Sequence, residues 1–170
     1  MPTLHVCSLS RLSETVAATG AGHVLTLINA GTPVERPASI QSEHHRTIGF
    51  NDIVEPMDGA VLPGEAHVET LLDFARAWDR ARPVVIHCYA GISRSTAAAF
   101  ITACALKPER DEAEIARALR AASPSATPNR LLVAIADRLL ERDGRMVAAV
   151  AAIGRGSEAF EGEPFCLTLE

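Results

Sequence analysis

Pro83-Val84-Val85-Ile86-His87-Cys88-Tyr89-Ala90-Gly91-Ile92-Ser93-Arg94-Ser95-Thr96-Ala97-Ala98-Ala99-Phe100 is the stretch that decides the fold. Its apolar first part reads as a buried strand and its alanine-rich last part as the start of a helix. Between them lies a short loop in which a cysteine and an arginine stand six positions apart. A tight strand-to-helix loop turns successive backbone N–H groups into one concavity, backed by the positive end of the helix dipole. That concavity suits a tetrahedral dianion. Cys88 lies at its floor, where the same field favours thiolate over thiol; thiols at helix N-termini fall to roughly 3.5–7.5.

The spacing alone proves little, because Cys104 and Arg110 repeat it in Cys104-Ala105-Leu106-Lys107-Pro108-Glu109-Arg110. That second stretch has no preceding strand, no glycine, and a glutamate inside the would-be cradle. It reads as a helix end and the turn after it. Around Cys88 everything missing there is present: a strand, His87 before the cysteine, Gly91 in mid-loop, Ser95 and Thr96 after the arginine, and a helix beyond.

His-Cys-x-x-Gly-x-x-Arg-Ser/Thr resembles the signature of the cysteine-based protein tyrosine phosphatases, including their dual-specificity branch. With its strand–loop–helix context the match extends over about 83–106, and weaker likeness runs from Thr47 through Leu140. The resemblance implies Cys88 as nucleophile, Arg94 as phosphate clamp, a phosphocysteine intermediate, and neither metal nor cofactor. Tyr89, Ala90, Gly91, Ile92 and Ser93, with Arg94, would line the phosphate.

Residue chemistry supports those roles. A thiolate can attack phosphorus in line and split hydrolysis into two easier displacements. The planar fork of Arg94 can hold two equatorial phosphoryl oxygens together, which lysine cannot do. Gly91 gives the loop the torsions it needs to turn its amides inward. Ser95 can donate to the sulfur as it leaves phosphorus, satisfy local backbone in the first helical turn, or both. His87 either holds the loop by hydrogen bonding or is a satisfied histidine at a strand end. Thr96 and Ser93 read as loop structure.

The leaving oxygen needs a proton, so a carboxylic acid must face the loop. Asp52 and Asp58 both follow the apparent strand Thr47-Ile48-Gly49-Phe50, and precede Cys88 by thirty-six and thirty residues. The dual-specificity branch carries its acid on the loop directly after such a strand. Asp52 is preferred on that ground, while Asp58-Gly59 reads as turn chemistry; Glu55 is a distant third. Asn129 matches a polar position bordering the active site in that family, where it would position water. Its alternative is a surface residue in the first turn of a helix.

Length and composition bound the rest. The chain has 170 residues, which predicts one catalytic domain over 1–170 with a real core. A net charge of −5 disfavours nucleic acid and anionic membranes as partners. Fifteen of the sixteen cationic residues are arginine, a bias expected of a GC-rich bacterial genome. Cys7, Cys88, Cys104 and Cys166 show no framework spacing, and a reactive thiolate demands a reducing compartment, so a cytoplasmic location is expected. No signal peptide opens the chain, and the longest apolar run, Ala97–Leu106, is too short to span a bilayer. His44-His45 has no further ligands at metal-binding spacing and reads as a solvated pair at a strand start.

Along the chain, strands are expected at Thr3–Cys7, His23–Ile28, His45–Phe50 and Pro83–His87, with a late edge strand in Pro164–Leu169. Helices are expected from Ser8 or Ser10 to Gly20, after Pro63-Gly64, from the loop to Leu106, and over Glu109–Ala122. Another begins after Thr127 as N-cap with Pro128 at the first helical position, and a last one follows Gly144 to Ile153. The helix after Gly64 carries Val68, Leu71, Leu72, Ala75 and Trp78 on one apolar stripe, so Trp78 reads as core. Strands alternating with helices predict an α/β fold: a central, largely parallel sheet of about four to five strands, with helices on both faces. Ligands in such sheets bind beyond the carboxyl ends of the strands, where Cys88 falls.

The loop adds no positive charge beyond Arg94, so a phosphorylated protein or small phosphoester carrying one phosphate is the expected partner. Protein-tyrosine or dual-specificity phosphatase is the preferred activity. A pseudophosphatase that binds phosphorylated partners without turnover is the second reading, and the intact Cys88, Arg94 and Ser95 speak against it. Rhodanese-like sulfur transfer is a third, and Gly91 through Ser95 fits phosphate better.

Overall fold

The computed structural model describes all residues, Met1–Glu170. Its strands are β1 (Thr3–Cys7), β2 (His23–Ile28), β3 (His45–Gly49), β4 (Val84–His87) and β5 (Phe165–Thr168). Its helices are α1 (Leu12–Thr19), α2 (Glu65–Ala77), α3 (Arg94–Leu106), α4 (Glu112–Ala122), α5 (Arg130–Leu139) and α6 (Arg145–Ile153). The five strands form one sheet in the order β3-β2-β4-β1-β5. The first four are parallel, and β5 closes the β1 edge antiparallel, pairing Val6 with Phe165 and Leu4 with Leu167. The expected α/β architecture is present.

Alternation along the strands separates two apolar layers. Leu4, Val6, Leu25, Leu27, Val84 and Ile86 belong to the large core beneath the helices after the sheet's midpoint. Cys7, Val24 and Val85 pack instead with Leu12 and Val16 of α1 and with Ile40. β2 is buried at all six positions, as expected of an internal parallel strand. α3 is the central helix: Arg94 through Cys104 are all buried, and the run Ala97-Ala98-Ala99 lets neighbours approach closely. Trp78 is 2% exposed, and its indole N–H donates to the Arg82 carbonyl at 2.9 Å.

Helix boundaries differ from the sequence expectation wherever a cap decides them. The first helix opens as a 3₁₀ turn, Leu9–Arg11, before α1. It closes on Gly20 at φ +66°, the left-handed cap that glycine adopts without strain. α4 starts three residues later than Glu109, because the Asp111 carboxylate accepts the N–H groups of Ala113 and Glu114. Thr127 is not the cap of α5, nor is Pro128 its first residue. Asn129 caps it, accepting from Leu131 and Leu132. α6 is capped from α5: Asp137 accepts N–H groups of Gly144 and Met146, each at 2.7 Å. The control pair falls as expected, Cys104 in the last turns of α3 and Arg110 in the turn beyond it.

β4 runs between β1 and β2, so its carboxyl end opens centrally into the loop that leads to α3. The segments after β1, β2 and β3 converge on that end, which brings residues far apart in sequence around Cys88.

Candidate active site

The Cys88–Arg94 loop is shaped by its carbonyls. Tyr89 O accepts from Leu9 N at 3.1 Å, and Ala90 O from Gly162 N at 2.8 Å. Ile92 O accepts from Thr127 N at 2.9 Å, and Ser93 O from Asn129 N at 3.2 Å. These donors lie outside the loop, so its carbonyls face outward. In a trans peptide the N–H of the next residue points opposite to the carbonyl. The amides therefore turn inward, and one completes a contact there: Gly91 N–H donates to Cys88 Sγ at 3.2 Å. No acceptor within the protein takes the N–H of Tyr89, Ala90, Ile92 or Ser93.

Gly91 is required where it stands. Its φ is +72°, and a Cβ there would lie 2.9 Å from both the Cys7 carbonyl carbon and Ser8 N. The loop is thus pressed against the end of β1, with no room for a side chain.

Cys88 is 3% exposed at the floor of the loop, while Tyr89 is 69% exposed on its rim. The sulfur also lies 3.1 Å from Ser95 Oγ, in the first turn of α3. Arg94, 7% exposed, is held by one nitrogen: Nη1 donates to Asn29 Oδ1 and to the Phe50 carbonyl, both at 2.8 Å. Its Nε–H is buried without a partner. A buried donor left open is rare and calls for an acceptor. The Nε edge of the fork is therefore the part free to take an oxyanion.

His87 is fully buried, and its hydrogen bonds define its tautomer. Nδ1 lies 3.1 Å from the Cys88 carbonyl, an acceptor only, so Nδ1 carries the proton. Nε2 then accepts from Thr26 Oγ1 at 2.7 Å, and Thr26 Oγ1 accepts in turn from His45 Nε2 at 2.8 Å. Burial pushes the His87 pKa down to about 4, against the pull of the Cys88 carbonyl, so the ring is neutral. It touches the loop backbone and makes no hydrogen bond to the sulfur. His45 is accordingly no solvated residue, and His44 stacks on the His23 ring with centroids 4.1 Å apart. Each histidine of the pair has a partner inside the fold, which corrects the sequence reading.

Asp52 and Asp58 separate clearly. Asp52 Oδ1 accepts from Ser93 Oγ at 2.7 Å and from Asn129 Nδ2 at 2.8 Å, so this carboxylate borders the loop. Oδ2 has no protein partner. Asp58 sits in the exposed turn closed by Ala60 N and Met57 O and makes no hydrogen bond to the loop. Asn129 is 4% exposed, not a surface residue, and its amide does two tasks at once. Its oxygen caps α5, and its NH₂ holds Asp52 and the Ile53 carbonyl. Ser93 joins the same network, and Thr96 Oγ1 donates to the Ile92 carbonyl at 2.6 Å.

Several contributors were invisible in the sequence: Asn29, the Phe50 carbonyl, Thr26, and the amides of Leu9 and Gly162. Three of these act through backbone atoms, which carry no residue signature. The geometry as a whole offers a buried cysteine sulfur, inward amides, an open guanidinium edge and a carboxylate bordering the loop.

No family model matches the sequence, and no curated protein matches it either. Solved structures do. PTP-2 phosphatase from Cydia pomonella superposes with a TM-score of 0.62 at 20% identity, over 79% of this chain and 84% of that one. Human DUSP28 gives 0.62 at 17% identity, over 82% and 92% of the respective chains. DUSP15 gives 0.66 at 16% identity, over 93% and 96%. This chain thus shares the fold of the tyrosine and dual-specificity phosphatases.

Proposed function

We propose that this protein is a metal-independent phosphomonoester hydrolase that works through a phosphocysteine intermediate on phosphotyrosine and related esters. One observation carries the reading: the loop that turns the Gly91 N–H onto Cys88 Sγ ends in Arg94, whose Nε edge stands buried and unpaired. Cys88 Sγ attacks phosphorus, a P–S bond forms, and the bond to the leaving oxygen breaks. Asp52 gives that oxygen its proton. Water then attacks phosphorus, its proton returns to Asp52, and the P–S bond breaks to release phosphate and thiolate. Ser95 supports the departing sulfur by hydrogen bonding. Amides 89–93 and Arg94 hold the equatorial oxygens, where charge spreads in a loose transition state. His87 orients the Cys88 carbonyl, and Asn129 with Ser93 orients Asp52.

Hydrolysis of para-nitrophenyl phosphate tests these roles. Cys88→Ser is expected to abolish turnover while vanadate still binds. Asp52→Asn is expected to lower kcat about 10²–10⁴-fold, the usual range for a general acid, and Asp58→Asn to stay near wild type. Wild-type rates in Cys88→Ser would end the covalent mechanism. Vanadate binding without wild-type turnover would make the chain a phospho-binding module.

A further inference from the structure

A cavity of about 870 Å³ opens beside the loop and shares Asp52, Ile92 and Ser93 with it. Ile53 and Val54 after Asp52, Val133 on α5, and Val147 and Val150 on α6 form its apolar wall, and Arg130, Arg155 and Glu158 also line it. The segment Gly154–Ala159, which leaves α6, forms another wall. That wall is built in. Gly156 N donates to Thr127 Oγ1 at 3.1 Å and Ser157 N to the Pro124 carbonyl at 2.9 Å. Arg120 Nη2 holds the Gly154 carbonyl at 2.8 Å. A Cβ on Gly156 would come within 2.6 Å of the Ser125 carbonyl carbon, so this strap is pressed against the backbone of 124–126.

The position of this cavity bears on the substrate. A general acid must come within about 2.6–3.2 Å of the oxygen it protonates. With Asp52 as the acid, the alcohol part of the ester leaves the loop on Asp52's side, into this cavity. Its volume falls in the range of pockets for drug-sized ligands, well beyond one phenyl ring. A tyrosine ring beside Asp52 leaves the wall of Val133, Val147 and Val150 for something else apolar and attached to it. A peptide supplies that as a soluble ligand, whereas a chain of net charge −5 is repelled by an anionic bilayer.

We propose that this cavity is a specificity subsite for the residue adjoining a phosphotyrosine, and that the substrate is a phosphotyrosine peptide with a large apolar side chain there. The inference rests on the phosphatase reading above. It is tested with two phosphotyrosine peptides that carry leucine or aspartate on both sides of the tyrosine, and with para-nitrophenyl phosphate. Wild-type kcat/KM is expected to favour the leucine peptide by about tenfold to a hundredfold, the factor a buried leucine-sized side chain supplies. Val150→Asp is expected to bring that ratio close to one. Should it fail to fold, Val147→Asp, at a position 42% exposed, serves in its place. Equal kcat/KM for the two peptides, with para-nitrophenyl phosphate still hydrolysed, overturns the subsite and leaves the phosphatase reading standing. If no ester is hydrolysed, calorimetric titration of Cys88→Ser with both peptides decides: a tenfold preference for leucine supports the subsite, and equal affinities overturn it. A third arm uses phosphatidylcholine vesicles carrying phosphatidylinositol phosphate, because Phe160 on the strap is fully exposed and could seat on lipid. Faster hydrolysis there than of either peptide overturns the peptide in favour of a lipid.

Discussion

Acidification should weaken this protein through His87. The folded state holds the ring neutral with a pKa of about 4, against an ordinary value of 6.5, chiefly because burial penalises the imidazolium. Between those two values the unfolded chain binds a proton that the folded chain refuses. Stability is therefore intact above about pH 6.5 and is lost as the pH falls toward 4. The whole difference amounts to about 3 kcal/mol at 1.36 kcal/mol per unit, of which about 2 kcal/mol is already lost at pH 5. The geometry gives the reason. A protonated Nε2 would turn from acceptor to donor against Thr26 Oγ1, which already accepts from His45. Burial lowers His5, His23 and His45 as well, so the wild-type slope has several sources. His87→Gln keeps an amide to meet Thr26 and the Cys88 carbonyl but cannot titrate. Urea unfolding at pH 7 and pH 5 gives the loss for each form, and wild type is expected to lose about 2 kcal/mol more than His87→Gln. Equal losses in the two forms would refute a buried neutral imidazole at this position.

Gly91→Ala is expected to cost about 2 kcal/mol or more in unfolding free energy, since a Cβ there meets the Cys7–Ser8 backbone at 2.9 Å. Loss of para-nitrophenyl phosphate turnover should accompany it, and an unchanged midpoint would contradict the close approach. Arg142 bonds the Glu112 carboxylate and the Cys104 carbonyl, each at 2.9 Å, in a nearly dry site. Arg142→Ala leaves the buried Glu112 carboxylate only the half-exposed Arg145 as a partner, at 3.3 Å, and should destabilise by about 1.5–3 kcal/mol in chemical denaturation. On the proposed function, peroxide is expected to abolish para-nitrophenyl phosphate turnover reversibly by oxidising Cys88, with dithiothreitol restoring it. Burial raises Cys7 to about 11 and Cys104 to about 12, so both stay protonated thiols; mass spectrometry finding the first oxidation there would contradict this.

Much of the centre was legible because it is contiguous. Val84–His87, the loop and α3 follow one another in the chain, so periodicity, one glycine and the cysteine–arginine spacing were enough to read strand, turn and helix. That Asp52 rather than Asp58 borders the loop was also legible, since Asp52 follows the strand end directly. Asn129 was harder. Thr127-Pro128 looks like a helix start, but a structure that needs the Asn129 amide to reach both α5 and Asp52 moves the cap two residues on. The His44-His45 pair misled for a related reason. Its solvation depended on whether His23 and Thr26 lay beneath it, which is a matter of how β2 pairs with β3.

What the amino-acid order determined unaided is local: where strands and helices lie, which cysteine sits in a loop able to cradle an anion, and which arginine accompanies it. Only the tertiary structure decided the sheet order, the partners that fix Arg94, and the four outlying amides that pull the loop carbonyls outward. Those contacts join positions as distant as Ala90 and Gly162, and they act largely through backbone atoms common to every residue. Side-chain pattern reports what a segment buries. It does not report which remote segment will come to lie against it.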